Sequence, residues 1–309
     1  MSGPSPLRVG TRGSVLAQAQ TRLTMTALQE REPGLEWQEV VIETEGDRYQ
    51  GALHQAPTPG IFVSALRDAL LRGDVDCVVH SMKDLPGADH PGLALAAAPL
   101  RESPLDVLVT PSGQKLADLP AGATVGTSSP RRAASVKRVR PDLDVADIRG
   151  NITTRIEKVR RGDYAATILA KAGLVRAGLS EAMSEELEAQ WFLPAPRQGI
   201  LALEVRAEDT SAFELIGRLD HRESRWAAAA EQGVLLGLQA GCHSAVGGLA
   251  QVDGTTVRLQ AELADPETGE VESVSGETQS DSVDAIRAWA IQLVEPLRSS
   301  ELATRVGLT

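Results

Sequence analysis

Two stretches of this chain place reactive side chains where a loop could present them. Gly241-Cys242-His243-Ser244-Ala245-Val246-Gly247-Gly248 sets a thiol in a glycine-rich segment rather than in a strand, the setting of an accessible, reactive cysteine. His80-Ser81-Met82-Lys83-Asp84 follows the apolar run Asp76–His80 at its carboxyl end, where open α/β sheets place ligands. Adjacent Lys83 and Asp84 offer an anion clamp beside an acid–base group; the bland alternative is a surface turn with an ion pair worth little. His80 reads as a core residue, and Cys77, inside the apolar run, as inert packing.

Three further corners could hold anions. Thr11-Arg12-Gly13-Ser14 lies between a strand and a helix N-terminus, where free N–H groups and the helix dipole favour negative charge. Gly126-Thr127-Ser128-Ser129-Pro130-Arg131-Arg132 repeats that layout and adds paired arginines suited to bidentate carboxylate contacts. Arg149-Gly150-Asn151, ahead of Arg155, makes the third. Each alone is weak, because Ser or Thr before a helix is usually only an N-cap. Together they suggest a site for several carboxylates.

The charge distribution points the same way. The chain carries −11 overall, but residues 131–176 carry +7, leaving −18 on the remainder. A basic patch on an acidic body suits a compact polyanion better than an extended nucleic acid, whose backbone the body would repel. Lys137, Lys158, Arg160 and Arg161 read as solvated helix faces. Aromatics make up only 3%, which disfavours base-stacking platforms. No cysteine has metal-ligand spacing to the five histidines, so no metal is expected. Neither a GxGxxG nor a Walker-type loop is present. The opening residues lack an apolar h-region and no apolar run reaches the ~20 residues of a bilayer span. The expectation is a cytoplasmic protein with no membrane partner.

The elements that must position these residues follow from periodicity. Strands at 7–10, 37–44 and 76–80 alternate with helices at about 15–30 and 62–72, an α/β domain with a substantially parallel sheet. After Pro99 the pattern begins again, with strands at 106–110, 124–126, 145–148 and 165–170 and helices at 131–140 and 153–161. Leu201–Val205 is a lone strand that could return to the first sheet. From about Asp220 a helix (223–238) leads into the Cys242 loop, then strands at 249–252, 257–263 and 270–278 and a closing helix at 282–297. In the middle strand Val257, Leu259, Ala261 and Leu263 alternate on one face. The expected domains are 1–99 (completed by about 200–218), 100–199 and 220–309.

The motifs in sequence order resemble the porphobilinogen deaminase (hydroxymethylbilane synthase) family. The matching stretches are Thr11–Ser14, Val79–Pro86, Gly126–Arg132, Arg149–Asn151 with Arg155, Leu169-Ala170 with Ala172–Leu174 and Arg176, Gln198-Gly199, and Gly241-Cys242. The resemblance implies two periplasmic-binding-protein-like α/β lobes plus a small C-terminal α+β domain with a three-stranded antiparallel sheet. It implies a dipyrromethane cofactor joined to Cys242 through a thioether. It implies a stepwise condensation of four porphobilinogen molecules with loss of ammonia, then hydrolysis to release hydroxymethylbilane, and a monomeric state. Asp84 would be the catalytic residue, accepting hydrogen bonds from pyrrole N–H groups, stabilising developing positive charge and assisting proton transfer. Ser81, Lys83, Asp84, Thr127, Ser129, Arg131, Arg132, Gly150 and Arg155 would hold the cofactor. Arg12, Ser14, Gln20, Arg149, Arg176 and Gln198 would hold incoming substrate or the growing chain.

Three departures from the family pattern stand out. The segment Gln55–Pro59 lacks the family's lysines, Arg197 stands where glycine is common, and His243-Ser244-Ala245 lacks the usual proline after the cysteine. Two rival readings are a non-catalytic two-lobed solute-binding protein for a polycarboxylate, which gives Cys242 no role, and a thiol hydrolase, for which His243 is a poor base by adjacency alone.

Overall fold

The computed structural model describes residues 5–44, 63–241 and 244–308. Along the first stretch run β1 (Leu7–Arg12), α1 (Val15–Arg31), β2 (Trp37–Ile42), α2 (Ser64–Leu71), β3 (Cys77–Ser81) and β4 (Leu93–Ala97). Next come β5 (Asp106–Val109), β6 (Thr124–Gly126), α3 (Pro130–Val139), β7 (Asp144–Ala146), α4 (Ile152–Arg160), β8 (Ala166–Ala170), α5 (Lys171–Arg176) and β9 (Glu185–Leu187). The chain continues through β10 (Leu201–Arg206), α6 (Thr210–Gly217), α7 (Arg222–Gly237), β11 (Val246–Asp253), β12 (Thr256–Ala264) and β13 (Val271–Gln279). It closes with α8 (Val283–Leu293), α9 (Glu295–Arg298) and α10 (Glu301–Arg305).

These elements form two compact units, one of Met1–Arg101 with Ile200–Arg225, the other of Glu102–Gly199 with Trp226–Thr309. The first unit is built on a five-stranded sheet in the order β2-β1-β3-β10-β4. β1 runs parallel to β2 and β3, so the carboxyl ends of β1 and β3 share one sheet edge. β10 lies between β3 and β4, antiparallel to both. The expected parallel arrangement of β1, β2 and β3 is what the sheet holds; β10 alone runs against it, because a strand that does not follow a βαβ crossover is free to insert in the opposite sense.

The second unit holds a five-stranded sheet ordered β7-β6-β8-β5-β9 and a three-stranded antiparallel sheet ordered β11-β12-β13. β6 is parallel to β7 and β8, while β5 is antiparallel to β8 with Asp106 opposite Ala170. Asp106, at the start of its strand, therefore stands at the edge where β6 and β8 end. In the small sheet Val257, Leu259, Ala261 and Leu263 enter a core with Ala230, Val234, Ile286 and Ala290, as their alternation predicts. The expected closing helix is broken after Leu293, because Pro296, in the first turn of α9, cannot donate to the preceding turn. The short strands β4 and β9 and the helices α5 and α6 carry too few periodic residues to be read from sequence.

A buried charged group fastens the first unit behind β3. Arg67 of α2 donates through Nε and Nη2 to the two oxygens of Glu204 on β10, at 2.9 and 2.7 Å. His80 of β3 brings Nε2 to 3.3 Å from the same carboxylate. Burial alone would raise the Glu204 carboxyl, but His80 and Arg67 outweigh it and push it down to about 2. A carboxyl lowered by folding contributes stability that is complete above its unfolded value of about 4.3 and disappears as pH falls toward the folded value. Unfolding free energy should therefore fall by on the order of 3 kcal/mol between about pH 4.5 and 2 from this group alone. Glu204→Gln should lose that part of the slope in urea titrations across the range; an unchanged slope would place the acid sensitivity elsewhere.

Candidate active site

The second unit gathers cations at the sheet edge where β6 and β8 end. β6 terminates at Gly126, where a Cβ would collide with Tyr164 and Ile148. The chain then turns into α3, with Pro130 in its first turn. Ser129 is the N-cap, its Oγ accepting from the Arg132 N–H at 3.5 Å, and Thr127 Oγ1 accepts from the Ser129 N–H at 3.2 Å. The hydroxyls that sequence offers to a ligand are thus already closing the helix end, the ordinary role of such residues.

Arg131 and Arg132 converge on one carboxylate. Arg131 donates to Asp106 Oδ2 at 2.7 Å and to the Leu193 carbonyl at 2.7 Å. Arg132 donates to Asp106 Oδ1 at 2.7 Å and to the Ile168 carbonyl at 2.9 Å. Gln198 Nε2 adds a third donor to Asp106 Oδ1 at 2.9 Å and also reaches the Pro104 carbonyl. All four side chains are buried. Burial would raise the Asp106 carboxyl, but two adjacent guanidiniums hold it well below the usual carboxylate range. The Nε atoms of Arg131 and Arg132 are buried with no hydrogen-bond partner among the described residues.

Beside this group lies the third corner. Asn151 caps α4 by accepting from the Thr154 N–H at 2.9 Å. Gly150 takes φ +111°, and a Cβ there would lie 2.6 Å from the Thr154 side chain, so only glycine turns the chain here. Arg155 donates to the Gly150 carbonyl at 2.9 Å, and Arg149 to Asp147 at 2.8 Å. Burial, then the charges of Arg132 and Arg149, push the Arg155 guanidinium down to about 10. Asp147 opposes that shift without cancelling it. Lys158, expected on a solvated face, instead donates to the Arg149 carbonyl at 3.1 Å. Lys137 likewise turns back to the Leu143 carbonyl at 2.9 Å.

Arg176, at the end of α5, donates to the Gly199 carbonyl at 2.7 Å. Burial pushes it down to about 10, against an opposing pull from Glu102. Gly199 itself has φ +90°, and a Cβ would sit 2.3 Å from the Glu102 carbonyl oxygen. Arg197 takes a left-handed φ of 65°, a conformation natural to glycine, and is only 4% exposed. Its side chain is buried rather than displayed.

The first unit presents its own set at the shared end of β1 and β3. Ser14 caps α1, accepting from the Ala17 N–H at 3.2 Å, with half-buried Arg12 ending β1. Gln20, buried on α1, and Ser81 exchange hydrogen bonds at 3.1 and 3.2 Å. Beyond Ser81 the residues Met82–Asp84 form one 3-10 turn, closed by the Leu85 N–H on the Met82 carbonyl. Met82 also donates its N–H to the Ile200 carbonyl at 2.9 Å, next to β10. Lys83 and Asp84 are half-buried on this turn. Cys77 is fully buried, and burial raises its thiol far above the usual range, so it is inert packing.

Within each unit the structure therefore brings together most of the residues marked from sequence. Cys242, His243 and the 55–59 segment lie outside the described residues. Asp106 is the site residue that sequence reasoning passed over; its signal was an acid opening the otherwise apolar run Val107-Leu108-Val109. Among the described residues no group of His, Cys, Asp and Glu could hold a metal ion. No described helix is long and apolar enough to cross a membrane.

Comparison with known proteins adds an independent finding. Residues 7–214 match the family model described as porphobilinogen deaminase, dipyromethane cofactor binding domain. The porphobilinogen deaminase of Acidothermus cellulolyticus is 45% identical over 305 residues, covering 94% of this chain and 92% of that protein. That of Thermus thermophilus is 45% identical over 261 residues, covering 84% of this chain and 85% of that protein. Among solved structures, the BvgS VFT2 domain of Bordetella pertussis covers 69% of this chain and 85% of its own, at 16% identity and a TM-score of 0.41. A periplasmic binding protein of Salmonella typhimurium covers 70% of this chain and 92% of its own, at 13% identity and a TM-score of 0.38.

The Asp106 cluster yields a direct test. Asp106→Asn keeps the shape but leaves two buried guanidiniums facing a neutral amide, so unfolding free energy should drop by about 3–5 kcal/mol in denaturant titration. A loss below about 1 kcal/mol would show that Arg131 and Arg132 find other acceptors.

Proposed function

This chain belongs to the porphobilinogen deaminase family, and from that premise we propose how its residues divide the work of condensing porphobilinogen with loss of ammonia. The observation that carries the assignment is the arginine cluster of the second unit, in which cations outnumber the carboxylates that face them.

The chemistry of a dipyrromethane fits these residues. Its two pyrroles each carry an acetate and a propionate, and the cluster offers an excess of guanidinium charge with buried, unpartnered Nε atoms on Arg131 and Arg132. Arg131, Arg132 and Arg155 would hold its carboxylates, Ser81, Lys83, Thr127, Ser129 and Gly150 would also contact it, and Cys242 would supply the sulfur of a thioether. When bound, the group supplies a pyrrole α-carbon as the point of chain growth. Arg12, Ser14, Gln20, Arg149, Arg176 and Gln198 would receive the carboxylates of incoming porphobilinogen and of the lengthening chain.

Asp84 is the proposed catalytic residue. Its 3-10 turn is fixed by the Met82 contact to Ile200 and backed by the buried Arg67–Glu204–His80 group, so its backbone needs little reorganisation during reaction. A carboxylate so held can accept the pyrrole N–H of porphobilinogen and stabilise the ring as it becomes electron-poor on losing ammonia. It can also carry a proton to the departing amine. Lys83 beside it neutralises a substrate carboxylate. The product would be a linear tetrapyrrole, and the setting a cytoplasmic one.

Intact mass under denaturing conditions, with peptide mapping, should show an excess of two deaminated porphobilinogen units at Cys242, and Cys242→Ser should abolish it. Asp84→Asn should keep that excess while losing about 10²–10⁴-fold in turnover. Near-normal turnover would remove Asp84 from its role. Arg131→Leu and Arg132→Leu should each yield protein without the adduct, and full occupancy in both would reassign the cluster.

A further inference from the structure

Four consecutive carbonyls at the Arg149 corner are each held by a side chain. Tyr164 Oη donates to the Asp147 carbonyl at 2.7 Å, and Ser128 Oγ to the Ile148 carbonyl at 2.6 Å. Lys158 Nζ donates to the Arg149 carbonyl at 3.1 Å, and Arg155 Nε to the Gly150 carbonyl at 2.9 Å. Tyr164 precedes β8, Ser128 follows β6, and Arg155 and Lys158 stand on α4, so separate segments fasten one loop. Ile148 is fully buried and anchors the same loop in the core. With the backbone so fixed, the direction of the Arg149 guanidinium is decided by its side chain alone.

Asp147 sets that direction. Its Oδ2 accepts from Arg149 Nε at 2.8 Å, across a single intervening residue. Burial would raise the Asp147 carboxyl, but neighbouring Ser128 and Arg149 hold it below the usual carboxylate range, so it stays an anion at neutral pH. A guanidinium carries its N–H donors in one plane. With Nε turned onto Asp147 the two Nη groups remain, and among the described residues they donate to no acceptor. A carboxylate can then meet them end-on through two parallel bonds. The side chains of Asp147 and Arg149 are 53% and 28% exposed, so their pairing adds little to stability.

We propose that Asp147 is a positioning residue that holds Arg149 by its Nε edge and presents the Nη fork, ready oriented, to a carboxylate of incoming porphobilinogen or of the growing chain. The inference rests on reading Arg149 as a holder of that carboxylate. An untethered arginine must give up rotamer freedom when it binds, and a tether meets that cost before the ligand arrives. Asp147 also repels a ligand carboxylate, but it is more than half exposed, and water and salt screen that repulsion. The orienting effect therefore wins.

Two substitutions separate the bond from the charge. Asp147→Ala removes both, whereas Asp147→Asn removes the charge but keeps an amide oxygen that can accept from Nε. Measured on protein carrying its adduct, Asp147→Ala should raise KM for porphobilinogen by about three- to tenfold. Asp147→Asn should recover most of that loss, leaving KM within about twofold of the unsubstituted enzyme. Urea midpoints of both should stay close to that enzyme, which separates aim from stability. An unchanged KM in Asp147→Ala would overturn the proposal. So would a fall in KM in both variants, which would make Asp147 an attenuating charge, or equal rises in both, which would make the charge matter and not the bond. A collapse of the Asp147→Ala midpoint would make the pair a structural pin and overturn it as well. Unchanged KM in Arg149→Leu would instead overturn the underlying reading of Arg149.

Discussion

Asp106 is a single carboxylate, fully removed from water, that accepts from Arg131, Arg132 and Gln198. Without it, α3 would enter the core with two guanidiniums and no counter-charge, a cost that no backbone carbonyl of Leu193 or Ile168 could offset. With it, the start of β5, the N-terminal turn of α3 and the loop ending at Gly199 are tied to one point. The corner turns at Gly126 and Gly150 then place Arg149 and Arg155 nearby. The positive excess of this arginine cluster depends on that one anion being present but not sufficient to neutralise it.

The hydroxyl and amide side chains around this point have ordinary duties. Ser14, Ser129 and Asn151 cap helices, and each is needed there whether or not a ligand is bound. What distinguishes the site is the charge behind the caps. Each N-terminus adds a weak dipole field, while the guanidiniums add full charges in a medium that screens them poorly. The proposed preference for a polycarboxylate therefore lies in arginine placement. Family membership rests likewise on residues: the relatives share 45% identity with this chain over most of its length.

The first unit solves a different problem. The turn Met82–Asp84, proposed to carry the catalytic carboxylate, must be rigid at the carboxyl end of a buried strand. The strand is flanked on one side by β1 and on the other by β10, and the turn is tied to Ile200 by a backbone hydrogen bond. Beneath it, Glu204 reconciles Arg67 with His80 in a place with little water. Such a buried group is worth more for specifying one arrangement of α2, β3 and β10 than for net stability, since two charges must lose their hydration to form it.

Much of this was legible from the sequence because it depends on local chemistry. Apolar runs, glycine turns and Ser or Asn before helices fix strands and caps through contacts a few residues apart, so the alternating lobes, the small antiparallel sheet and the motifs bearing Asp84, Arg131, Arg132 and Arg155 could all be marked. The opposite sense of β10 and β5 could not, because strand direction is settled by partners far along the chain. Nor could the role of Asp106. In the sequence it is an acid opening an apolar run. The fold buries it beside Arg131 and Arg132, and only there does burial turn an ordinary carboxylate into a charge that governs its neighbours.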